Sequence, residues 1–207
     1  MTAFEFFFSF YGLLLGLCVA ELVGGFARVL HERHRVRFGR LTPMLAVFVA
    51  LDVATFWTQA WVIFRGAPFN PALLIVGLII AATFYIAASV TFPRVTAEGV
   101  EAQIDLDEHF WAQRKLVLGC ILAANLIVAG LFWGLASLDA GFAALMSARL
   151  WIGVAIFNLF GAVAAFAPWK RVAAGALVLI IAYSLMGVIE AGAALIAAGG
   201  WSPATGG

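Results

Sequence analysis

Charged residues are scarce in this chain of 207 residues: Asp, Glu, Lys and Arg make up 11% of it, whereas hydrophobic residues make up 65%. A typical soluble domain is about one quarter charged and about half apolar. The apolar excess is too large for one soluble core to hold, which argues against a soluble globular domain. The net charge is +1 and the chain has no basic or acidic tail, so we expect no nucleic-acid partner.

Cysteine and histidine are rarer still. Cys18 and Cys120 fall in different apolar segments and at different depths, so a disulfide is not expected. The three histidines lie outside the apolar segments, which argues against a membrane haem and an intramembrane serine protease. Three histidines are also too few for a membrane di-iron oxygenase. The sequence has no lysine in the middle of an apolar segment to hold retinal, and no glycine-rich phosphate loop. We therefore expect no cofactor, and these absences weigh against enzyme activity.

The apolar residues are grouped into blocks of about 20, the length with which a helix crosses about 30 Å of hydrocarbon. The blocks predict an all-α integral membrane protein, a bundle of six transmembrane helices in a single domain over residues 1–207. Thr42 with Pro43 and Asn70 with Pro71 are typical helix starts, and Pro93 is a typical stop. The predicted spans cover about residues 6–30, 42–64, 71–93, 115–138, 149–167 and 172–198.

Lysine and arginine are distributed unevenly between the predicted loops. Of the 12 such residues, all but Arg65 and Arg149 lie in or beside the loops after spans 1, 3 and 5. Because positive residues in short loops stay in the cytoplasm, these three loops are predicted to be cytoplasmic. Both termini are then on the non-cytoplasmic side, and we expect the location to be a bacterial inner membrane.

The even number of spans permits an internal duplication. Residues 20–23 of span 1 align with residues 124–127 of span 4, and Tyr85 of span 3 aligns with Tyr183 of span 6 at a similar offset. Halves of three spans insert in opposite orientations, an arrangement found in many transporters. Apolar segments also match by chance, so the sequence leaves a 3+3 inverted repeat open.

Polar side chains recur near the predicted middle of the spans. A helix rises 1.5 Å per residue, which places most of them about 10–20 Å from the cytoplasmic edge. Polar groups at this depth are expected to face the bundle interior or water, since lipid offers them no partner. We expect the following residues to line a polar cavity: Glu21, Asp52, Thr55, Gln59, Tyr85, Asn125, Asn158 and Tyr183.

Asp52 is the most informative of these residues. With Thr55 and Gln59 it has the i, i+3, i+7 spacing of one helical face. An ionised carboxylate at the bilayer centre costs about 2.5–3.5 kcal/mol, and no Lys or Arg is predicted deep enough to pair with it. Asp52 is therefore neutral or hydrated, and both states suit a proton or cation step. The alternative is structural: Asp52 fixes helix packing by bonding Asn125 or Tyr183.

The cytoplasmic side offers a second candidate site. His31 and His34 lie one helical turn apart, and His109 follows several carboxylates in another loop of the same side. Imidazole and carboxylate suit zinc or iron, so these histidines are candidate metal ligands. The alternative is a solvated basic segment beside anionic lipid. In the second loop, Asp105 followed by Glu108 resembles a capping box and predicts a helical lead-in to span 4.

Two functions fit these observations. The first is a small transporter or channel that passes protons, a cation or a small polar solute through the midplane polar layer. The second is a non-transporting accessory, scaffold or sensor subunit of a membrane complex, which docks through residues 94–115. The pairs Gly12/Gly16 and Gly130/Gly134 have the spacing that lets helices approach closely. We therefore expect a homodimer or a membrane protein partner, in addition to the lipid bilayer. Transport ranks slightly ahead.

Overall fold

The computed structural model describes residues 3–64, 70–94 and 103–198, which are almost entirely helical. Six helices are long and apolar enough to cross a membrane, so the predicted all-α architecture with six apolar helices is confirmed. The remaining helix, α5, is a short one that the sequence analysis did not predict. The elements are α1 (Ala3–His31), β1 (Val36–Arg37), α2 (Leu41–Phe64), α3 (Pro71–Thr91), β2 (Ile104–Asp105), α4 (Leu106–Leu138), α5 (Ala140–Leu145), α6 (Ala148–Phe166) and α7 (Lys170–Ala197).

The six long helices form a closed ring with a contact across its middle. Going around the ring, α1 packs against α3, α3 against α4, α4 against α6, α6 against α7, α7 against α2, and α2 against α1. Helix α2 also contacts α3 and α4. This arrangement gives α2 four helical neighbours, so its midpoint is the place where a side chain is most readily enclosed by the bundle.

The first three long helices do not pack like the last three. Helix α1 packs closely on α3, whereas the corresponding pair α4 and α7 is not among the closely packed pairs of the described chain. Helix α6 takes the middle position of its half, between α4 and α7. The helix arrangement therefore does not display the 3+3 repeat that the sequence left open.

The contact between α1 and α3 depends on a glycine. Tyr11 is 1% exposed, and its hydroxyl donates to the carbonyl oxygen of Leu74 at 3.0 Å. The ring lies directly over Gly77, where an added Cβ would come within 1.6 Å of the Tyr11 oxygen. Any larger residue at this position would push the two helices apart, because interiors are packed too densely to absorb a methyl group.

One end of the bundle, where α1, α3 and α6 end and α2, α4 and α7 begin, is called the basic end. Here β1 and β2 form a two-stranded parallel pair, with Val36 opposite Ile104 and Arg37 opposite Asp105. Arg37 also forms an ion pair with Asp105 at 3.5 Å. The connection after α1 is thereby fastened to the segment before α4, although the two are distant in sequence.

The start of α4 differs in extent from the predicted span. Asp105 caps it, since its side chain accepts hydrogen bonds from the backbone N–H groups of Asp107 and Glu108, as the capping pattern predicted. The lead-in and the span form one continuous helix of 33 residues. Arg114, which the sequence analysis counted as a loop charge, therefore lies inside a helix.

The cap of α2 comes from another helix. Thr42 was predicted to cap this helix, and that prediction is wrong: α2 begins at Leu41, and the Thr42 hydroxyl donates to the carbonyl oxygen of Leu106. The Leu41 N–H donates instead to the carboxylate of Asp107 at 2.9 Å. This approach requires Gly39, where a Cβ would lie 2.0 Å from the Asp107 carboxylate.

Candidate functional site

Asp52 lies near the midpoint of the 24-residue helix α2 and is 5% exposed. The side-chain amide of Asn125, on α4, donates to one carboxylate oxygen of Asp52 at 3.1 Å. The same amide group donates to the carbonyl oxygen of Ile121, one turn back on its own helix, at 3.1 Å. Asn125 is thus oriented by its own backbone while it bonds the carboxyl group across the contact between α2 and α4.

Asp52 has no cationic partner among the residues that the structure describes, since none of their ion pairs includes it. Arg114 is also buried, but it is bound to the carbonyl oxygens of Ala164 and Ala167 at the end of α6. An enclosed carboxylate with one amide donor and no cation is expensive to keep ionised. A carboxyl group in this position can take up a proton or bind a small cation, and its bond to Asn125 can equally fix the packing of α2 against α4.

The other two residues of α2 that were predicted to line the polar cavity, Thr55 and Gln59, are placed differently from Asp52. Thr55 is exposed on the outside of the bundle, and its hydroxyl donates to the carbonyl oxygen of Leu51 at 2.9 Å. Gln59 is half-buried. Three residues of helix turn a side chain by about 300°, which is 60° short of a full circle. That offset is enough to carry Thr55 past the edge of the packed face on which Asp52 lies.

Asn158 and Tyr183 lie in the other half of the bundle. Asn158, on α6, donates to the carbonyl oxygen of Val154 at 2.8 Å, and its own amide oxygen is buried without a hydrogen-bond partner among the described residues. The hydroxyl of Tyr183, on α7, lies against Gly153 of α6, where a Cβ would come within 2.5 Å of it. No hydrogen bond in the described part of the chain joins either residue to Asp52.

Tyr85 and Glu21 lie toward the outside. Tyr85 is 41% exposed. Glu21 is half-buried, and its carboxylate pairs with Arg28 at 3.7 Å, two turns along the same helix. Of the predicted midplane residues, the structure therefore joins Asp52 to Asn125 by a hydrogen bond. Glu21, Thr55 and Tyr85 lie away from that pair.

The structure does not bring the three histidines together. The imidazole of His109 lies 3.2 Å from the carbonyl oxygen of Val90, at the end of α3. His34 lies 3.7 Å from the carboxylate of Glu32, and His31 is exposed. Within residues 3–64, 70–94 and 103–198, no cluster of three or more His, Cys, Asp or Glu side chains has the spacing of a metal site.

Sequence reasoning missed the role of Arg114. This side chain is 5% exposed and donates to the carbonyl oxygens of Ala164 at 3.1 Å and Ala167 at 2.8 Å. Its guanidinium carbon lies 3.8 Å from the ring centre of Trp111. A cation at a helix C-terminus satisfies carbonyl groups that have no partner within the helix. In the sequence, Trp111 and Arg114 are three residues apart, about one helical turn. That spacing could have indicated that the two side chains stack on one face of a helix.

A cavity on the flank of the bundle was also not predicted. It has a volume of about 370 Å³ and opens to the outside between α2 and α7. A second surface cavity lies at the basic end, beside Ala27, Arg28, His31 and Glu32. Neither cavity includes Asp52. The lining residues of the first are Pro43, Met44 and Val47 from α2 and Val178, Ile181, Ala182 and Leu185 from α7.

The fold and the buried carboxyl group define an all-helical protein with six helices long and apolar enough to cross a membrane and a hydrogen-bonded polar pair inside the bundle. The chain matches no protein-family model. Comparison with curated proteins and with solved structures also found no match.

Proposed function

We propose that this protein is a small membrane transporter or channel in which Asp52, held by Asn125, binds a proton, a cation or a small polar solute inside the bundle. The observation that carries the proposal is the pairing itself: a carboxyl group that is 5% exposed has an amide donor at 3.1 Å and forms no ion pair with a described residue. Within a membrane-spanning bundle, such a group is by default a functional candidate.

The amide partner suits a group that changes its charge. An amide N–H stabilises a carboxylate by a charge-assisted hydrogen bond without neutralising it. A lysine or arginine in the place of Asn125 would hold Asp52 permanently ionised and compete with a bound ion. Because Asn125 is neutral, Asp52 can lose or take up a proton, or bind a cation, without breaking a salt bridge to it.

Access to Asp52 requires helix movement, because the side chain is almost completely covered in this conformation. Asp52 and Asn125 lie on α2 and α4, which meet across the middle of the ring. A small separation of these two helices would open the pair to one side of the membrane. This type of motion, in which packed helices shift as rigid bodies, is common to many transporters.

The proposal includes a membrane placement. The basic end faces the cytoplasm of a bacterial inner membrane, and both termini lie on the other side. Arg33, Arg37, Arg40 and Lys170 lie at the basic end, whereas Arg149 lies near the opposite end beside Glu190; Arg65 lies outside the described residues. The 3+3 inverted repeat and the association with a second copy or a membrane partner stay predictions.

Flux through reconstituted protein tests the proposal. Liposomes containing a pH-sensitive dye receive the purified protein, and a potassium gradient with valinomycin drives proton entry; parallel assays use sodium, potassium and small polar solutes. We expect flux in wild-type liposomes and its loss in Asp52→Asn, which keeps the shape of the side chain and removes its charge. Thr55→Val, on the exposed side of the same helix, serves as the matched control and is expected to keep wild-type flux.

Two outcomes of this experiment would contradict the proposal. Equal flux in wild type and Asp52→Asn would remove Asp52 from the mechanism. The absence of wild-type flux for protons, cations and solutes, from protein shown to be folded, would contradict transport as a whole.

A non-transporting accessory, scaffold or sensor role is the second candidate. It is favoured by the basic end, where β1, β2 and the cap of α2 fix a charged surface: Arg37 is 74% exposed and His34 is 70% exposed. Cross-linking in native membranes from this surface tests the role. A stable partner that is still cross-linked to the Asp52→Asn variant supports an accessory function. Recovery of this chain alone counts against that function. Part of the predicted docking segment, residues 95–102, lies outside the described residues.

A further inference from the structure

The cavity between α2 and α7 is an apolar groove on the face that would meet lipid. All seven of its lining residues are apolar, and it opens to the outside rather than toward Asp52. It is an open surface groove with a volume of about 370 Å³. Because the groove is apolar and lies on the face that would meet lipid, an elongated apolar group such as one acyl chain of a lipid can lie in it.

Cationic side chains lie in line with this groove at the basic end. On α7, Arg171 precedes Val178 by seven residues and Ala182 by eleven, so the three share one helical stripe. On the other wall, Arg40 immediately precedes α2, whose Met44 and Val47 line the groove near its start. Both walls of the groove therefore lead to an arginine at the same end of the bundle.

These arginines are available to a ligand. Arg40 and Arg171 are exposed, and neither forms an ion pair with a described residue. Lys170 adds a third exposed cation beside Arg171. Asp107, a carboxylate that accepts a hydrogen bond from the Leu41 N–H near the start of α2, offsets one of these three positive charges. The mouth of the groove is thus net positive, while its interior is apolar.

We propose that the groove between α2 and α7 is a binding site for an anionic phospholipid. An acyl chain lies along Met44, Val47, Val178 and Ala182, and the headgroup phosphate is bound by the arginines at the basic end. Apolar surface alone would accept any lipid, since lipid tails do not discriminate between apolar helices. The arginines supply the preference for negative charge, because basic side chains between transmembrane helices attract anionic headgroups.

The charge at the mouth favours an anionic lipid over a second copy of this chain. A second copy related by two-fold symmetry would bring the same arginines toward each other, which is unfavourable. The site depends on the membrane placement but not on Asp52, which does not line the groove. Failure of the transport proposal and failure of the lipid proposal are therefore separate results.

Thermal unfolding and native mass spectrometry of the purified protein test the site. Phosphatidylglycerol and phosphatidylcholine with identical acyl chains are added at equal concentration to protein in neutral detergent. We expect phosphatidylglycerol to be retained and to raise the Tm, and phosphatidylcholine to do so much less. In the double variant Arg40→Gln/Arg171→Gln, we expect phosphatidylglycerol to bind about fivefold more weakly for each arginine removed. The preference for phosphatidylglycerol should then disappear.

Two further variants control the interpretation. Arg33→Gln removes an exposed cation of the basic end that is not on either wall of the groove, and it should keep the preference. Ala182→Trp fills the groove from an exposed position, so it should prevent retention of phosphatidylglycerol without disturbing the core.

The proposal is overturned if wild type shows no preference between the two lipids, or if the preference survives the double arginine variant. It is also overturned if Ala182→Cys, in a background without Cys18 and Cys120, forms disulfide-linked dimers in membranes rich in phosphatidylglycerol. That result would place a second copy in the groove.

Discussion

At the residue scale, the bond between Asn125 and Asp52 is the contact on which the function proposed for this protein depends. It crosses from α4 to α2 and is the hydrogen bond that the structure gives to the enclosed carboxyl group. Counting residues from the basic loops placed both side chains at a similar depth, and the structural alternative in the sequence analysis named this bond. The sequence did not distinguish Asn125 from Tyr183 as the partner, because the rotation of each helix about its axis is set by packing.

Removal of the Asn125 amide should weaken both folding and flux. Asn125→Ala leaves Asp52 covered and without its donor, and an unsatisfied buried polar group costs about 1–3 kcal/mol. We expect a lower Tm in detergent than wild type, together with reduced flux in liposomes. Thr55→Val removes a hydroxyl of α2 that bonds only its own helix and should leave the Tm nearly unchanged. Equal stability of Asn125→Ala and wild type would show that the bond is not formed.

A second residue-scale prediction concerns Gly77. A Cβ at this position would lie 1.6 Å from the Tyr11 oxygen, so Gly77→Ala must displace the ring or separate α1 from α3. We expect a loss of about 1–3 kcal/mol of stability, measured as a lower Tm by thermal unfolding. The matched control is Gly130→Ala on α4, where a Cβ meets nothing within 4 Å. A Gly77→Ala protein as stable as Gly130→Ala would contradict the close contact.

At the scale of the elements, Arg114 links the beginning of α4 to the end of α6. Helix α4 starts at Leu106 because Asp105 caps it. Arg114 is therefore a helical residue and does not lie in a loop. The sequence analysis began span 4 at about residue 115, after the charged residues of the lead-in, although a capped helix continues through such residues. The short helix α5 was missed for a related reason: its six residues are too few to show a period.

Arg114→Gln should loosen the end of α6. The carbonyl oxygens of Ala164 and Ala167 lose their donor, and we expect a lower Tm and faster hydrogen exchange over the last turn of α6. Arg114→Lys should restore part of the stability, since lysine provides charge without the planar fork of donors. Lys115→Gln is the neighbouring control: Lys115 is exposed and should be replaceable. Identical exchange in Arg114→Gln and Lys115→Gln would exclude the capping role.

At the scale of the whole molecule, the sequence predicted the number of long apolar helices but not their arrangement. Hydropathy counts spans well because every span must be apolar wherever it meets lipid. The same property hides the packing: Leu13 and Val23 are more than 60% exposed on the helix whose Leu15 and Leu22 are buried. Lipid-facing and core-facing positions are equally apolar, so the ring order and the enclosed face of α2 had to come from the structure.

The orientation proposed for the bundle gives a further prediction at this scale. A reporter fused after α6 or after α1 should be cytoplasmic, and a reporter fused after α7 should not be. Fusions to green fluorescent protein and to alkaline phosphatase measure this, because the first fluoresces in the cytoplasm and the second is active outside it. A fluorescent fusion after α7 would reverse the orientation and place the basic end outside.

The proposed function requires Asp52 to exchange a proton or a cation from inside the bundle. Infrared difference spectroscopy of the protein in lipid, recorded while the pH or the cation concentration is stepped, measures this directly. We predict a carbonyl or carboxylate band that changes with the step and is absent from Asp52→Asn, while Thr55→Val retains it. Spectra in which wild type and Asp52→Asn respond identically would show that Asp52 is inert, and would contradict the function proposed here.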